Sequence, residues 1–378
     1  MPSTSLESAR AWASFSCGRW TGAAPPPPRH DLPDDATIRR LRFGPFLYYA
    51  LHLTGDSRSG RFAAEYRHTA TANLILLSQA ARIRDAMAAR GLTPVLLKGG
   101  AFLLRYSREH LGLRPMADLD LLVPPAQYAP AAGVLEACGF RLMGGASRAS
   151  DRASHAESFV STSAPMPVEI DLHRGLAHWP IATGLTQRIL STTDRVDSWR
   201  VPQIADAICL SALHRARHGY SWALVDLFEI KRIVGGLDPA GWRDLLDRAS
   251  ADHLTGAVWA SYRQALWWLG ADAGDDERLA LLAGRLGTTR RRVLDRIAAP
   301  ERVVVSDSRW TGPLLRNLIV YPLAMTTPAR AFAAAAMFLP LRAVEEWTAA
   351  TRDGLGPAAR VRRLWVHAWR GRARRAAP

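Results

Sequence analysis

The sequence predicts an α+β protein, with a small α/β core set between an N-terminal group of helices and a larger C-terminal helical region. Three observations predict it. Residues 36–90 keep apolar side chains at three- and four-residue spacing, most clearly in "ANLILLSQAARIRDAMAARG", and this pattern stops at Gly91. The texture then changes to short aliphatic and β-branched runs: "TPVLL" (93–97), "ADLDLLV" (117–123), "HAESFVSTS" (155–163) and "VEIDLHR" (168–174). From Val201 onward the chain reads as helices again, interrupted at prolines and glycines.

In chain order, residues 1–35 read as a proline-rich arm, because "GAAPPPPRHDLPDD" cannot be helical. Residues 36–91 form the N-terminal helical region, 92–200 the sheet-containing core, 201–350 the C-terminal helical region and 351–378 an arginine-rich tail. Within the core, "TPVLL" runs into Lys98-Gly99-Gly100, and "AFLLRYS" resumes helical periodicity. The strand "ADLDLLV" is closed by Pro124-Pro125 before the helix "QYAPAAGVLEACGF". The last two strands are joined by a turn at "APMP", and no internal repeat is visible.

Composition narrows the function classes. The 378 residues are 48% hydrophobic and 22% charged, as in ordinary globular proteins. Uncharged apolar runs such as "AFAAAAMFLPL" (331–341) fall short of the ~20 residues of a membrane span. The opening residues lack the basic-then-apolar order of a signal peptide, and Cys17, Cys138 and Cys209 fit no metal spacing, so a reducing cytoplasm is the expected location. The net charge of +15 suggests nucleic acid, but it is carried almost wholly by arginine, with Lys98 and Lys231 the only lysines. That skew reads as compositional bias. Residues 351–378 hold eight Arg against one Asp, a tail that suits RNA, anionic lipid or an acidic partner equally.

The chemistry lies in two acids inside an apolar strand. Residues i and i+2 of a strand share a side, ~7 Å apart, so Asp118 and Asp120 face one way and Leu119 and Leu121 the other. Such carboxylates repel each other unless a cation intervenes, and all-oxygen ligands suit Mg²⁺. Asp171, between Ile170 and Leu172, is a third acid of the same kind. Three carboxylates on neighbouring strands can hold two metals about 4 Å apart for in-line phosphoryl displacement. Gly99 and Gly100, where a strand passes into a helix, offer backbone N–H groups at a positive helix end, and Lys98 adds a point charge. Taken singly, the acid pair could be a chance feature of a surface strand, the Lys-Gly-Gly step a simple turn, and Asp171 a turn cap or a partner for an arginine. Together they point to a phosphate- and metal-binding site.

These residues carry a resemblance. "VLLKGGAFLLRYSREHLGLRPMADLDLLV", then a helix, "CGF" and "VEIDLH", resembles the uncharacterised nucleotidyltransferase family of the DNA polymerase β-like superfamily. Lys98, Gly99 and Gly100 match its turn, Arg114 its arginine, Asp118 and Asp120 its acid pair, and Asp171 with His173 its third element. The resemblance implies a mixed-sheet polymerase β-like nucleotidyltransferase core. It implies that Asp118, Asp120 and Asp171 bind Mg²⁺ or Mn²⁺ and act in catalysis. Lys98, Gly99 and Gly100 would hold the β- and γ-phosphates of an NTP substrate, with Arg114 as a further phosphate contact or structural support. NMP would pass to a hydroxyl of a small-molecule, peptide or protein acceptor, releasing pyrophosphate. Classical members of the superfamily have Gly-Ser at the turn; Lys98-Gly99-Gly100 lacks that hydroxyl, so the triphosphate grip must differ.

The resemblance continues in "ALHRARHGYSWALVDLFEIKRIV". His214, His218, Trp222 and Asp226 recur every four residues and so share a face of a single helix. That face reads as a polar stripe packed on the core, with a metal site as the alternative. Two other functional readings stand beside the leading one: a toxin-like tRNA nucleotidyltransferase, with RNA as acceptor, and a non-catalytic nucleotide-binding scaffold.

Overall fold

A computed structural model describes residues 3–23, 25–143, 156–161, 166–176, 183–218, 220 and 224–299. The tail at 351–378, the run at 331–341 and Trp222 lie outside the described residues.

The chain opens with α1 (Ser3–Thr21), α2 (Asp35–Leu41), α3 (Gly44–Leu53) and the long α4 (Ala63–Ala88). Then come β1 (Val95–Leu96), α5 (Lys98–Tyr106), β2 (Asp118–Leu122), α6 (Tyr128–Ala137), β3 (Phe140–Leu142), β4 (Ala156–Ser161) and β5 (Glu169–His173). The helix α7 (Thr183–Ser191) leads to a hairpin of β6 (Thr193–Val196) and β7 (Trp199–Pro202). The described chain ends in helices: α8 (Ile204–Arg217), α9 (Val225–Gly235), α10 (Pro239–Ala251), α11 (Thr255–Leu269), α12 (Asp275–Gly284) and α13 (Thr288–Ile297). The seven strands make one sheet in the order β3-β4-β5-β2-β1-β7-β6. It is mixed: β2 runs parallel to β5 and β1 to β7, and the other pairs are antiparallel.

The protein is therefore α+β with a mixed sheet, as the sequence predicts. The four runs read as strands appear as β1, β2, β4 and β5, although β1 has only two residues before Leu97 extends the pairing by donating its N–H to Asp120 O at 2.9 Å. Three strands were not expected. In β6 and β7, charged and polar residues (Asp194, Arg195, Arg200) dilute the apolar alternation, and the turn rests on Asp197 with φ +51°.

Two apolar clusters organise the molecule. One joins the sheet to α4 and α6 through Leu76, Ile83, Leu119, Leu121, Ile170 and Leu172. The other is helical and is built from both ends of the described chain: α1 and α3 contribute Trp12, Trp20 and Phe46, and α8, α9 and α11 contribute Leu213, Phe228 and Trp268. The reading of residues 1–35 as an arm is thereby corrected. Residues 9, 12, 13, 16, 17 and 20 of α1 are all buried, a three- and four-residue spacing that makes one helix face. The segment after it folds back, with Trp12 Nε1 donating to Asp31 O at 3.0 Å. The N-terminal helical region also divides: α3 belongs to the helical cluster, and α4 covers the sheet.

Candidate active site

Parallel pairing of β2 with β5 sets Asp118 beside Glu169, Asp120 beside Asp171 and Leu122 beside His173. Leu119, Leu121, Ile170 and Leu172 all enter the sheet cluster, so the alternate residues Asp118, Asp120, Asp171 and His173 share the opposite face. Asp120 lies at the centre and is almost fully buried, 4% exposed. Its Oδ1 accepts from Lys98 Nζ at 2.5 Å and from His173 Nε2 at 2.7 Å. Asp171 is oriented from β4, where Ser158 Oγ donates to its Oδ1 at 2.5 Å. Asp120, Asp171 and His173 each offer a ligand atom, all within 4.8 Å of one another.

The two acids of β2 respond to this setting in opposite ways. Burial and the neighbouring Asp120 push the Asp118 carboxyl up to about 6, against the pull of Lys98. Burial acts in the same direction on Asp120, but Lys98 and His173 outweigh it and hold that carboxylate ionised, well below its usual range. An ionised buried acid, a second carboxylate and an imidazole make an O, O, N donor set that fits a divalent cation. Lys98 Nζ supplies positive charge at Asp120 in this structure.

Lys98 opens α5 with a left-handed backbone, φ +43°. A non-glycine residue in that region is strained, and such strain collects at functional positions. The two glycines that follow serve different neighbours. A Cβ on Gly99 would stand 2.4 Å from Arg114 Nη1, so Gly99 makes room for a guanidinium at the start of α5. A Cβ on Gly100 would stand 2.8 Å from Leu96 Cδ1 and 3.1 Å from Leu119 Cδ2, so Gly100 lets α5 sit close on the sheet. Arg114 itself is held by an ion pair from its Nε to Glu229 Oε1 on α9.

The family model described as uncharacterised nucleotidyltransferase matches residues 36–270. The chain belongs to that family. No curated protein matches the chain. The nucleotidyltransferase match begins at α2 and closes at the end of α11, so it takes in both the sheet and most of the helical cluster. The protein is accordingly a nucleotidyltransferase enzyme, with a nucleotide as substrate and with an Asp-Asp-His group able to hold a divalent metal. Among the described residues no helix is long and apolar enough to cross a membrane.

Beside the acids of this nucleotidyltransferase a cleft of about 610 Å³, its mouth included, separates α5 from α8 and α9. Lys98, Phe102, His214, Asp226, Glu229 and Ile233 are among the residues that line it. His214 and Asp226 thus reach a common space, but from two helices. The expectation of one continuous helical face is corrected: α8 ends at Arg217, His218 is its C-cap, and Asp226 lies in the first turn of α9. The sequence signal was present, since a glycine follows His218, and Tyr220 has φ +58°. The His214 and His218 rings meet with centroids 4.5 Å apart. Burial, then Lys98 and His218, keep His214 neutral, far below the usual histidine range.

Sequence reasoning singled out neither Ser158 nor Glu229, and it gave His173 no role of its own. His173 stands two residues after Asp171 and so on the same strand face, which the period of two makes legible. Glu229 stands three after Asp226 on one helix, but its partner Arg114 is 115 residues away and carries no local signal.

Proposed function

We propose that this enzyme is a metal-dependent nucleotidyltransferase of the polymerase β-like kind. It moves NMP from an NTP to a hydroxyl of a small-molecule, peptide or protein acceptor and releases pyrophosphate. One observation carries the reading: Asp118, Asp120 and Asp171 share one face of a parallel strand pair, with Lys98, the first residue of α5, bonded to the central acid.

Asp118, Asp120 and Asp171 are the residues that hold Mg²⁺ or Mn²⁺, and His173 fixes Asp120 from the adjoining strand. The bound cation neutralises charge on the triphosphate and favours in-line displacement at the α-phosphorus. Lys98 and the N-terminal end of α5 attract the β- and γ-phosphate oxygens, a fixed positive potential that replaces the absent Gly-Ser hydroxyl. Asp171, aimed by Ser158, accepts the proton of the attacking hydroxyl. Arg114 supports the α5 turn from its ion pair with Glu229 rather than acting as a free phosphate clamp.

The test is calorimetric titration of the four NTPs into wild type, Asp118→Asn and Asp120→Asn, with Mg²⁺, with Mn²⁺ and without metal. Metal-dependent binding in wild type is expected to fall in both variants by more than the roughly 10–100-fold that losing a supporting residue costs. Wild-type affinity in both variants would remove the metal assignment. A folded protein that binds no NTP under any condition would favour a scaffold.

A further inference from the structure

The cleft between α5 and the α8–α9 pair has no role in the chemistry derived so far, and its wall contains an unsatisfied group. Its cations each have a carboxylate partner: Lys98 has Asp120, Arg105 has Asp194 at 2.7 Å, and Arg114 has Glu229. Asp226 is different. It is 5% exposed, and its Oδ2 has no hydrogen-bond partner among the described residues. The nearest cation, the fully buried Arg215, stands 3.9 Å from that oxygen, too far for a hydrogen bond, and its Nη1 is also unsatisfied. A buried carboxylate oxygen lacking a donor is costly, and such exceptions call for a cause. Asp226 lines the cleft, so its carboxylate brings acceptor capacity to that wall, which suits a ligand that donates.

The remaining walls narrow the class. Phe102, Tyr106, Leu210 and Ile233 give apolar surface on both sides, as small-molecule sites have. The space is continuous with the acids, because Lys98 lines it and also bonds Asp120. Lys98, Arg114 and Asp226 line the same cleft, so the carboxylate and the phosphate end share one space. A flat, largely apolar ring carrying an N–H donor and tethered to phosphates meets all of these conditions.

We propose that the cleft receives the nucleoside of the NTP, and that Asp226 selects a base bearing an exocyclic amine, which donates to its carboxylate. This rests on the nucleotidyltransferase reading above and adds to it a specificity residue. Carboxylates accept from base amino groups in the same manner elsewhere. Burial keeps the Asp226 carboxyl above its usual range, and a base amine would partly offset that cost.

The test compares pairs differing at the amine by calorimetry with Mg²⁺: ATP against purine riboside triphosphate, GTP against ITP, and CTP against UTP. At least one amine-bearing nucleotide is expected to bind about 10- to 100-fold more tightly than its partner, and Asp226→Asn to erase that preference. Because Asp226→Asn leaves Arg215 without its counter-charge and could unfold the protein, Ala207→Trp provides a second arm. Ala207 lines the cleft on α8, away from the buried ion pair, and the indole would fill the nucleoside space. That variant is expected to lose NTP binding and to keep binding of inorganic tripolyphosphate. Equal binding within all three pairs, a preference that survives in folded Asp226→Asn, or normal NTP binding by Ala207→Trp overturns this assignment alone; the last result would give the cleft to the acceptor. Failure of wild type to bind either NTP or tripolyphosphate overturns the nucleotidyltransferase reading and this one with it.

Discussion

The two faces of β2 and β5 are made by the same ten residues and do opposite work. On one face Leu119, Leu121, Ile170 and Leu172 are fully buried against the cover of α4 and α6. On the other, Asp118, Asp120, Asp171 and His173 gather charge beside the helical cluster. Because successive side chains alternate, each strand anchors itself with every second residue and presents chemistry with the rest. The acids gain precise placement from the stability of the leucines behind them. The glycines of the α5 turn repeat the division: Gly100 belongs to the apolar side, and Gly99 to the charged side.

If this division holds, stability and nucleotide binding separate by residue parity. The largest effect on stability is expected from Leu121→Ala, which removes a fully buried side chain at a cost of about 2–5 kcal/mol. Urea unfolding would measure it. NTP affinity, measured below the unfolding range, should stay within a few-fold of wild type, the reverse of Asp120→Asn. An equal loss of affinity in Leu121→Ala would mean that the faces are not independent.

Next come the glycines. Gly100→Ala presses a methyl group into Leu96 and Leu119 and is expected to cost about 1–3 kcal/mol, with nucleotide affinity little changed. Gly99→Ala meets the end of a flexible arginine, which can move. Its stability cost should be smaller, but displacement of Arg114 from Glu229 should weaken binding. Identical profiles for the two variants would break the comparison.

The smallest effect concerns pH, and it belongs to the charged side. Burial raises Asp118 to about 6 and, with Asp226 adding to it, Glu229 to about 7, in spite of Arg114. An acid whose pKa is raised on folding binds its proton more tightly in the folded state. Its contribution is therefore present below the unfolded value and is lost as pH rises to the folded one. These two groups should withdraw stability from metal-free protein between about pH 4 and pH 7, by at most ~1.4 kcal/mol per pH unit for each, read as the difference from Asp118→Asn and Glu229→Gln. Glu229→Gln should flatten the upper part of that decline and Asp118→Asn the lower part. Profiles of both variants that coincide with wild type through this window would contradict both assignments, since neutral His214 pulls the total the other way.

The grouping of the candidate site's residues was largely legible in the sequence because its parts are local. Asp118 and Asp120 are two apart, Lys98 and the glycines are contiguous, and Asp171 repeats the motif of an acid among aliphatics. Period and spacing suffice for these. What escaped reading depends on distance or on geometry that no spacing encodes. The Arg114–Glu229 pair bridges 115 residues, and Ser158 meets Asp171 only through antiparallel pairing of β4 with β5. The break between His214 and Asp226 shows the converse error, where spacing was trusted past Arg217, at which α8 ends. In α1 the burial pattern was readable, but the prolines that follow it drew the whole segment into one assignment.

The helical cluster has a consequence for how the chain is made. Its helix α1 is synthesised well before its partners in α11, which come some 250 residues later, as the bond from Arg10 Nε to Trp267 O across 257 positions records. The sheet, complete at Pro202, can assemble while those partners are still inside the ribosome. Until they emerge, the side of α1 that carries Arg10 and Ser14 lacks its cover, while Trp20 can already pack on Phe46 of α3. Nascent protein thus carries an incompletely covered α1 over some 250 residues of synthesis, and its yield in a cell depends on what shields that helix in the interval.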